Sequence, residues 1–163
     1  FMDVAKRCGI RILDGKPVPE HRPKAVGDER PAVPAGHWIV WKGSIYYRAA
    51  AGENPRKQAF RYAARSVGVT LYEARDVQVL DLTIRFFRLD GVNAHDRSLR
   101  VKVENVKSLA NGRSGIAVGG SSAVVVRNCE IKDNRRHSVL LTELGAAKVE
   151  DSTLSRPPTV PDD

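Results

Sequence analysis

The chain has few of the features that mark membrane, metal-dependent or nucleotide-binding proteins. No apolar run approaches the roughly 18 residues of a membrane-spanning helix, and the N-terminus lacks the charged-then-apolar pattern of a signal peptide. No Gly-rich phosphate loop or zinc-binding spacing occurs. The two cysteines, Cys8 and Cys129, lie far apart and match no metal pattern. The sequence therefore predicts no metal site, no cofactor and no membrane span.

The net positive charge lies almost entirely in the N-terminal part of the chain. Residues 1–65 carry 13 Lys/Arg against 6 Asp/Glu, a net +7, whereas residues 66–163 carry 14 against 13, a net +1. A basic excess suits nucleic acid, an anionic lipid surface or an acidic polysaccharide, although such charge is more often only solvated. Nucleic acid ranks last, because the nearby aromatic residues are better explained as strand residues than as a base-stacking platform.

A repeat of 23 to 24 residues fills the chain from Gly68 to Leu154. One series recurs at steps of 23, 24 and 23 residues: GVTLY (68–72), GVNAH (91–95), GIAVG (115–119) and SVLLT (138–142). A second series keeps the step: VQVLDLTI (77–84), VKVENVKS (101–108), VVVRNCEI (124–131) and AKVEDSTL (147–154). Apolar residues alternate in both series, as in strands with one buried face. Three short strands per period predict an all-β solenoid of about four regular coils, with strands paired in parallel.

Several columns of the repeat predict corner or core roles. Gly68, Gly91 and Gly115 are expected to let the chain turn a tight corner. Cys129 falls at a small inward position and is predicted to be a buried free thiol, with a disulfide to Cys8 left open. One column holds short polar side chains that tolerate left-handed backbone and can form a hydrogen-bonded ladder. Its members are Asp81, Asn105, Asn128 and Asp151.

The flanks divide the chain into a Pro-rich basic N-terminal cap (1–36), a β-helix (37–154) and a tail or linker (155–163). HWIVWKGSIYYR (37–48) predicts two short strands around a turn. Aligning Val40 with Val79 predicts that these strands belong to an irregular first coil with an insertion of roughly 16 residues. Within that insertion, Asn54 and Pro55 predict the start of a short helix.

The pattern "GIxV, turn, VxVxNCxI" resembles the right-handed parallel β-helix repeat of the pectin-lyase-like superfamily over residues 68–154. GHWIVWKGSIYYRAAAGENP (36–55) is similar to a passage that precedes the coils in some β-helix glycoside hydrolases. The resemblance implies a secreted or periplasmic protein that binds and degrades polysaccharide as a hydrolase or lyase. Neither the adjacent aspartates of polygalacturonases nor the Trp-Ile-Asp-His stretch of pectate lyases is present, so no catalytic residue transfers. Four coils are fewer than such enzymes generally have, and together with the Phe1-Met2 start this predicts a segment of a larger protein.

The resemblance also implies a groove along the outer face of the strand GVNAH. Strand parity turns Asn93 and His95 outward, and Tyr72 stacks one rung from His95, which together predict a sugar-binding platform. A surface pair that only favours the strand conformation is an equal alternative.

Carboxylates follow this face at equivalent positions of successive coils. Glu73 and Asp96 are one rung apart, near the 5–5.5 Å of retaining glycosidases, and Asp96 and Glu143 are about two rungs apart, near the inverting separation. We therefore predict catalytic roles for Asp96, Glu73 and His95, provided that the turn begins at His95. The alternative is that Asp96 is a turn carboxylate paired with Arg75 or Arg97.

Cationic side chains in the loops predict contacts to an acidic sugar. The predicted substrate-binding residues are Tyr72, Asn93, Arg75, Arg97, Arg136 and His137. The alternative is ordinary solvated loop charge. For the whole chain, the rival to an enzyme is a β-helix module that binds glycans or serves as a spacer without catalysis.

Overall fold

A computed structural model describes residues 11–13, 16–21, 23, 28–42 and 44–155 of the 163-residue chain. Cys8 lies outside these residues. The chain falls into two compact units, one ending at Tyr62 and the other beginning at Ala63. The predicted three-part division at residues 36 and 154 remains a prediction.

The described residues of the first unit form antiparallel strands and a 3-10 turn. Its strands are β1 (Arg11–Leu13), β2 (Lys16–Val18), β3 (His37–Trp41), β4 (Ser44–Arg48) and β5 (Phe60–Tyr62). Strand β1 pairs antiparallel with both β2 and β5, and β3 pairs antiparallel with β4. The two strands expected within 37–48 are therefore present as a hairpin.

The predicted irregular first coil is replaced by this hairpin. Val40 pairs with Ile45 in the hairpin rather than with a coil strand. Trp38 and Ile39 are adjacent and both buried, so β3 does not show the one-sided alternation of a coil strand. The Trp38 indole N–H donates to the Val18 carbonyl at 2.9 Å, which fixes the ring within this unit.

The short helix predicted within 51–66 is also wrong, because only a 3-10 turn forms at Pro55–Lys57. Its start matches the prediction: the Asn54 side chain accepts from the Arg56 N–H at 3.1 Å, and Pro55 follows the cap. The turn ends at Gln58, and none of its residues is buried. Without an apolar face to bury, one turn has nothing that would extend it into an α-helix.

The second unit is a right-handed parallel β-solenoid of four coils, which confirms the predicted all-β class and parallel pairing. Coil 1 contains β6 (Val67–Tyr72), β7 (Gln78–Leu80) and β8 (Thr83–Arg85); coil 2 contains β9 (Asp90–His95), β10 (Val101–Glu104) and β11 (Lys107–Leu109); coil 3 contains β12 (Ser114–Val118), β13 (Ala123–Arg127) and β14 (Glu130–Lys132); coil 4 contains β15 (His137–Leu141), β16 (Ala146–Glu150) and β17 (Thr153–Leu154). Equivalent strands stack into sheet A (β6, β9, β12, β15), sheet B (β7, β10, β13, β16) and sheet C (β8, β11, β14, β17).

Inward-facing side chains from all three sheets form one apolar core. In sheet A, Val92 and Ala94 are fully buried, while Asn93 between them faces the outer side. Val103 of sheet B and Ile131 of sheet C are also fully buried. Burial of each such aliphatic side chain contributes about 1.5–3 kcal/mol. The alternation predicted from the sequence is therefore what places the core.

The step between coils changes at one corner. Tyr72 pairs with His95, a step of 23, whereas Val79 pairs with Val103, a step of 24. The additional residue of coil 2 lies in the corner 96–100, between sheets A and B. Three residues of this corner have left-handed backbone, with φ of 54°, 61° and 54°. Pairing resumes in register on both sides of it, so the insertion is confined to this corner.

The polar corner column is confirmed as a ladder with left-handed backbone. Its four residues have φ between 45° and 55°. The Asn105 amide N–H donates to Asp81 at 3.1 Å, and the Asn128 amide N–H donates to Asn105 at 2.6 Å. These hydrogen bonds between successive coils give the column a structural role at an exposed corner.

The expected corner role of the strand glycines is wrong. Gly91 lies inside β9 and has no positive φ. A Cβ at Gly91 would lie 2.1 Å from the Ser108 hydroxyl oxygen and 2.7 Å from the Gly115 carbonyl oxygen. Glycine is required here because the neighbouring coil and the core approach too closely for a side chain.

A second ladder, inside the core, was not expected from the sequence. The side-chain Oδ1 of Asn134 accepts two hydrogen bonds from Asn111, one from its backbone N–H and one from its side-chain Nδ2, each at 2.9 Å. The Asn111 oxygen accepts from the Phe87 N–H at 3.1 Å. Asn111 and Asn134 are almost completely buried, and hydrogen bonds to neighbouring coils compensate for the loss of hydration.

Cys129 is a buried free thiol, as predicted. Burial raises its pKa above the ordinary value, since the surrounding core disfavours the thiolate. Among the described residues, no helix is long and apolar enough to cross a membrane.

Replacing Asn111 by alanine should lower the free energy of unfolding by about 1–3 kcal/mol, because the Phe87 N–H loses its acceptor inside the core. Asn128→Gly is the matched control. It removes an exposed ladder hydrogen bond, while glycine keeps the left-handed φ, so the loss should be smaller. Urea unfolding followed by circular dichroism measures both. An equal or smaller loss for Asn111→Ala would show that the inner ladder is not the stronger one.

Cys129 should react slowly with iodoacetamide at pH 8 in the folded Cys8→Ser chain, because the thiol is buried and its raised pKa reduces the thiolate fraction. The same chain in urea should react at the rate of an ordinary thiol. Mass spectrometry follows the alkylated fraction. Equal rates in the two states would contradict the buried position.

Candidate functional site

A pocket of about 270 Å³ opens on the outer face of sheet A. Strands β9, β12 and β15 form its floor, and the corners that follow these strands form one wall. Its lining residues are Asn93, His95, Asp96, Arg113, Ala117, Gly119, Gly120, Leu140, Thr142 and Glu143. The pocket therefore lies on the face where the family resemblance implies a groove.

Tyr72 and His95 are stacked neighbours, as the step of 23 predicts. They pair in register between β6 and β9, and their rings meet edge to face with centroids 5.1 Å apart. Tyr72 is 58% exposed. The pair forms an exposed aromatic edge beside the pocket, and His95 belongs to both.

His95 and Asp96 form a hydrogen-bonded pair at the rim. The His95 Nδ1 lies 2.8 Å from the Asp96 Oδ2, and the imidazole is the donor in this pair because a carboxylate only accepts. Asp96 has a left-handed φ of 54° and an exposed side chain. The chain therefore leaves the strand in time to turn this carboxylate outward, and strict strand parity does not apply to it.

Four residues at one corner column share the same left-handed backbone: Glu73, Asp96, Gly120 and Glu143. Gly120, with φ of 56°, separates the carboxylates of Asp96 and Glu143. A Cβ at Gly120 would lie 2.6 Å from the Asp96 backbone nitrogen and 3.0 Å from its Oδ1. The missing side chain leaves the space between two carboxylates that lie two rungs, or about 9.6 Å, apart at the backbone.

A buried carboxylate supports the floor of the pocket. Asp90, which has no exposed surface, accepts two hydrogen bonds from the Arg113 guanidinium, at 2.9 and 2.5 Å. It also accepts from the Ser114 hydroxyl at 2.6 Å and from the Asn93 amide at 3.1 Å. Asp90 therefore fixes two lining side chains, Asn93 and Arg113, and neutralises the guanidinium.

Asp90, which is the first residue of β9, was not identified from the sequence. The available signal was that Asp90 and Arg113 both stand at the start of a sheet A segment, one coil apart. Opposite charges at such positions are within reach of one another in stacked coils.

The other predicted residues lie outside the pocket lining. Among the described residues, Glu73 is exposed one coil below Asp96, and its backbone N–H bonds to the His95 carbonyl at 3.3 Å. The cationic group consists of Arg75, Arg97, Arg136 and His137, all exposed. His137 opens β15, and the Arg97 N–H bonds to the Gly120 carbonyl at 2.7 Å. Their predicted roles in catalysis or sugar binding remain predictions.

The alternative ion pair for Asp96 has a different partner from those expected. Its hydrogen bond comes from His95, whereas the bidentate pair of this corner joins Arg100 to Asp76 at 2.5 and 2.6 Å. The hydrogen bonds from Arg100 lower the pKa of Asp76 below its ordinary value. Arg100 therefore links the corners of coils 1 and 2, and Asp96 has no part in this ion pair.

Metal ligands do not converge at this site. Within the described ranges, no group of three or more His, Cys, Asp or Glu side chains is placed to hold a metal ion.

Together, the solenoid and its carboxylate-lined pocket define a parallel β-helix protein with a candidate ligand site on one sheet. The model of the family described as "Right handed beta helix region" matches residues 57–159, more than half of the chain. The chain belongs to this right-handed β-helix family. No curated protein and no solved structure matches it.

Replacing Gly120 by alanine should displace Asp96, because the new Cβ has no room beside the Asp96 backbone. It should also lower the free energy of unfolding by about 1–2 kcal/mol, the cost of a left-handed non-glycine residue. Proton–nitrogen NMR of the His95 ring reports the change, since its Nδ1 bonds to Asp96. Ser121→Ala is the control, because Ser121 is exposed and already adopts φ of 59°. Unchanged His95 signals in Gly120→Ala would contradict the packing.

Proposed function

We propose that this β-helix is a glycoside hydrolase domain that cleaves a polysaccharide bound along sheet A. The observation that carries the proposal is that Asp96 and Glu143 both line one pocket and stand on either side of Gly120 in one column of the solenoid. Their spacing of two rungs is close to the 6.5–9.5 Å between the carboxyls of inverting glycosidases. The family supports the coarser part of this proposal, since β-helices are commonly carbohydrate-active.

Each carboxylate has a role in this proposal. Asp96 accepts a hydrogen bond from His95, as an ionised acceptor does, and is assigned as the base that takes a proton from water. The water oxygen then attacks the anomeric carbon, while Glu143 gives its proton to the glycosidic oxygen as the bond to that oxygen breaks. Two protons move and one C–O bond is exchanged, so no cofactor is needed.

The charge of the pocket favours a neutral sugar. Arg113 in the lining is neutralised by Asp90, so the charge that is left in the pocket is that of Asp96, the assigned base, beside the acid Glu143. A uronate carboxylate would be repelled by the Asp96 carboxylate. The acidic glycan predicted from the loop cations is therefore less favoured at this pocket than a hydroxyl-rich neutral sugar, which Asn93, Thr142 and the Tyr72 edge would contact.

A location outside the cytoplasm fits this activity, because polysaccharides are extracellular or cell-wall polymers. We also keep the proposal that further chain of a larger protein extends the groove. Both rest on the assignment as a glycoside hydrolase domain.

The test is reducing-end release from xylan, arabinan, galactan and polygalacturonate. We expect cleavage of a neutral polymer with inversion at the anomeric carbon, observed by proton NMR. Asp96→Asn and Glu143→Gln should each lower kcat by about 10²- to 10⁴-fold, the usual contribution of a general acid or base.

Glu73→Gln is the matched control, since it changes the same column outside the pocket and should leave kcat unchanged. A loss in Glu73→Gln with none in Glu143→Gln would favour the retaining pair of Glu73 and Asp96 and would refute the assignment of Glu143. Binding of a polymer without any cleavage would instead identify the chain as a non-catalytic glycan-binding module.

A further inference from the structure

A second pocket, of about 450 Å³, lies entirely within the first unit. Two short chain segments line it: residues 30–33, which lie outside the strands, and residues 46–48 of β4. They supply two arginines, two tyrosines and an apolar floor that includes the buried Val33. Its volume falls within the roughly 300–1,000 Å³ of small-ligand sites.

The two guanidinium groups of this pocket are held by neutral contacts. Arg48 donates from Nη1 to the Val33 carbonyl at 3.1 Å, and Arg30 lies over the Tyr46 ring with its central carbon 5.0 Å from the centroid. Among the described residues, neither guanidinium has a carboxylate partner, while nearby Asp28 lies 3.5 Å from Lys42. The pocket is therefore positively charged, and the two guanidinium groups keep hydrogen-bond donors that are available to a ligand.

The carboxylate that bonds to the lining residue Tyr47 also has a backbone partner. Glu53 accepts from the Ala50 N–H at 2.9 Å and from the Tyr47 hydroxyl at 3.0 Å, and these bonds lower its pKa. Burial, followed by the bond to Glu53, raises the pKa of Tyr47. The Tyr47 hydroxyl thus stays protonated and donates its hydrogen to Glu53. This hydrogen bond fixes the position of the Tyr47 ring.

We propose that this pocket binds the carboxylate-bearing ring of an acidic sugar. Guanidinium groups bind carboxylates through two parallel hydrogen bonds, and Arg30 and Arg48 supply them from two sides. The apolar floor and the tyrosines provide contacts for the C–H face of a pyranose ring. The sugar assignment rests on the proposed glycan function, but the position and the charge of this site do not.

The pocket on sheet A and this pocket therefore select sugars of different charge. The first is lined by Asp96 and Glu143 and takes the neutral sugar that is cleaved, whereas the second takes a uronate without cleaving it. The acidic partner predicted from the basic N-terminal part is assigned to this unit. A polysaccharide that contains both neutral and uronic units offers a ligand for each pocket.

The test is isothermal titration of the full chain with trigalacturonate at 50 mM salt. Arg48→Gln and Arg30→Gln should each weaken binding by about 10- to 100-fold, the equivalent of one charge-assisted contact. Arg56→Gln is the control, because Arg56 is exposed in the same unit outside the pocket. Arg30→Gln is included because Arg48 also bonds to the backbone, so that its replacement can disturb the fold.

Further ligands distinguish recognition of an acidic sugar from general attraction of negative charge. The methyl ester of trigalacturonate, which lacks the charge, should not bind. An equal loss in Arg56→Gln, or equal affinity for a triglutamate peptide, would overturn the proposal. Asp96→Asn should retain trigalacturonate binding, and Arg30→Gln should retain hydrolysis of the neutral polymer, so failure of one proposal is distinguishable from failure of the other.

Discussion

Parallel backbone pairing between coils is the constraint on which the solenoid depends. Each strand hydrogen-bonds to its equivalents about 4.8 Å away, so residues in the same column become direct neighbours although 23 or 24 positions separate them. The ladder from Asp81 to Asn128, the ring contact of Tyr72 with His95, and the column that contains Gly120 all result from this register. The candidate site is therefore a consequence of stacking, and no long loop has to be folded to build it.

The sequence predicted the features that follow from the length of the repeat and from the alternation of apolar and polar residues along each strand. These two patterns correctly placed the core, the Asn105 corner and the outward face of Asn93. Polar residues that turn inward could not be placed in this way. Asn and Asp are residue types that usually occupy exposed turns. The burial of Asn111, Asn134 and Asp90 is favourable only because neighbouring coils supply their hydrogen-bond partners. The two strands of the hairpin were predicted, but their assignment to a first coil was wrong because they pair with each other and not with the repeat.

The two units divide the charge of the chain between them. The N-terminal unit carries the basic excess and places Arg30 and Arg48 in a pocket without a carboxylate partner among the described residues. In the solenoid, the buried Asp90 neutralises the Arg113 guanidinium, so Asp96 and Glu143 dominate the pocket. The net charge of each part predicted the basic first unit, but the near-neutral total of the repeat did not reveal the carboxylates that line its pocket.

The additional residue in the corner 96–100 shows how this fold tolerates changes in length. The pairing of β9 with β12 and of β10 with β13 is undisturbed on either side of it, so the corner takes up the insertion without shifting the strands that follow. A corner can therefore gain or lose residues at little cost to the stacked core. Because this corner begins at Asp96, the shape of the pocket rim can diverge in evolution independently of the scaffold that carries it.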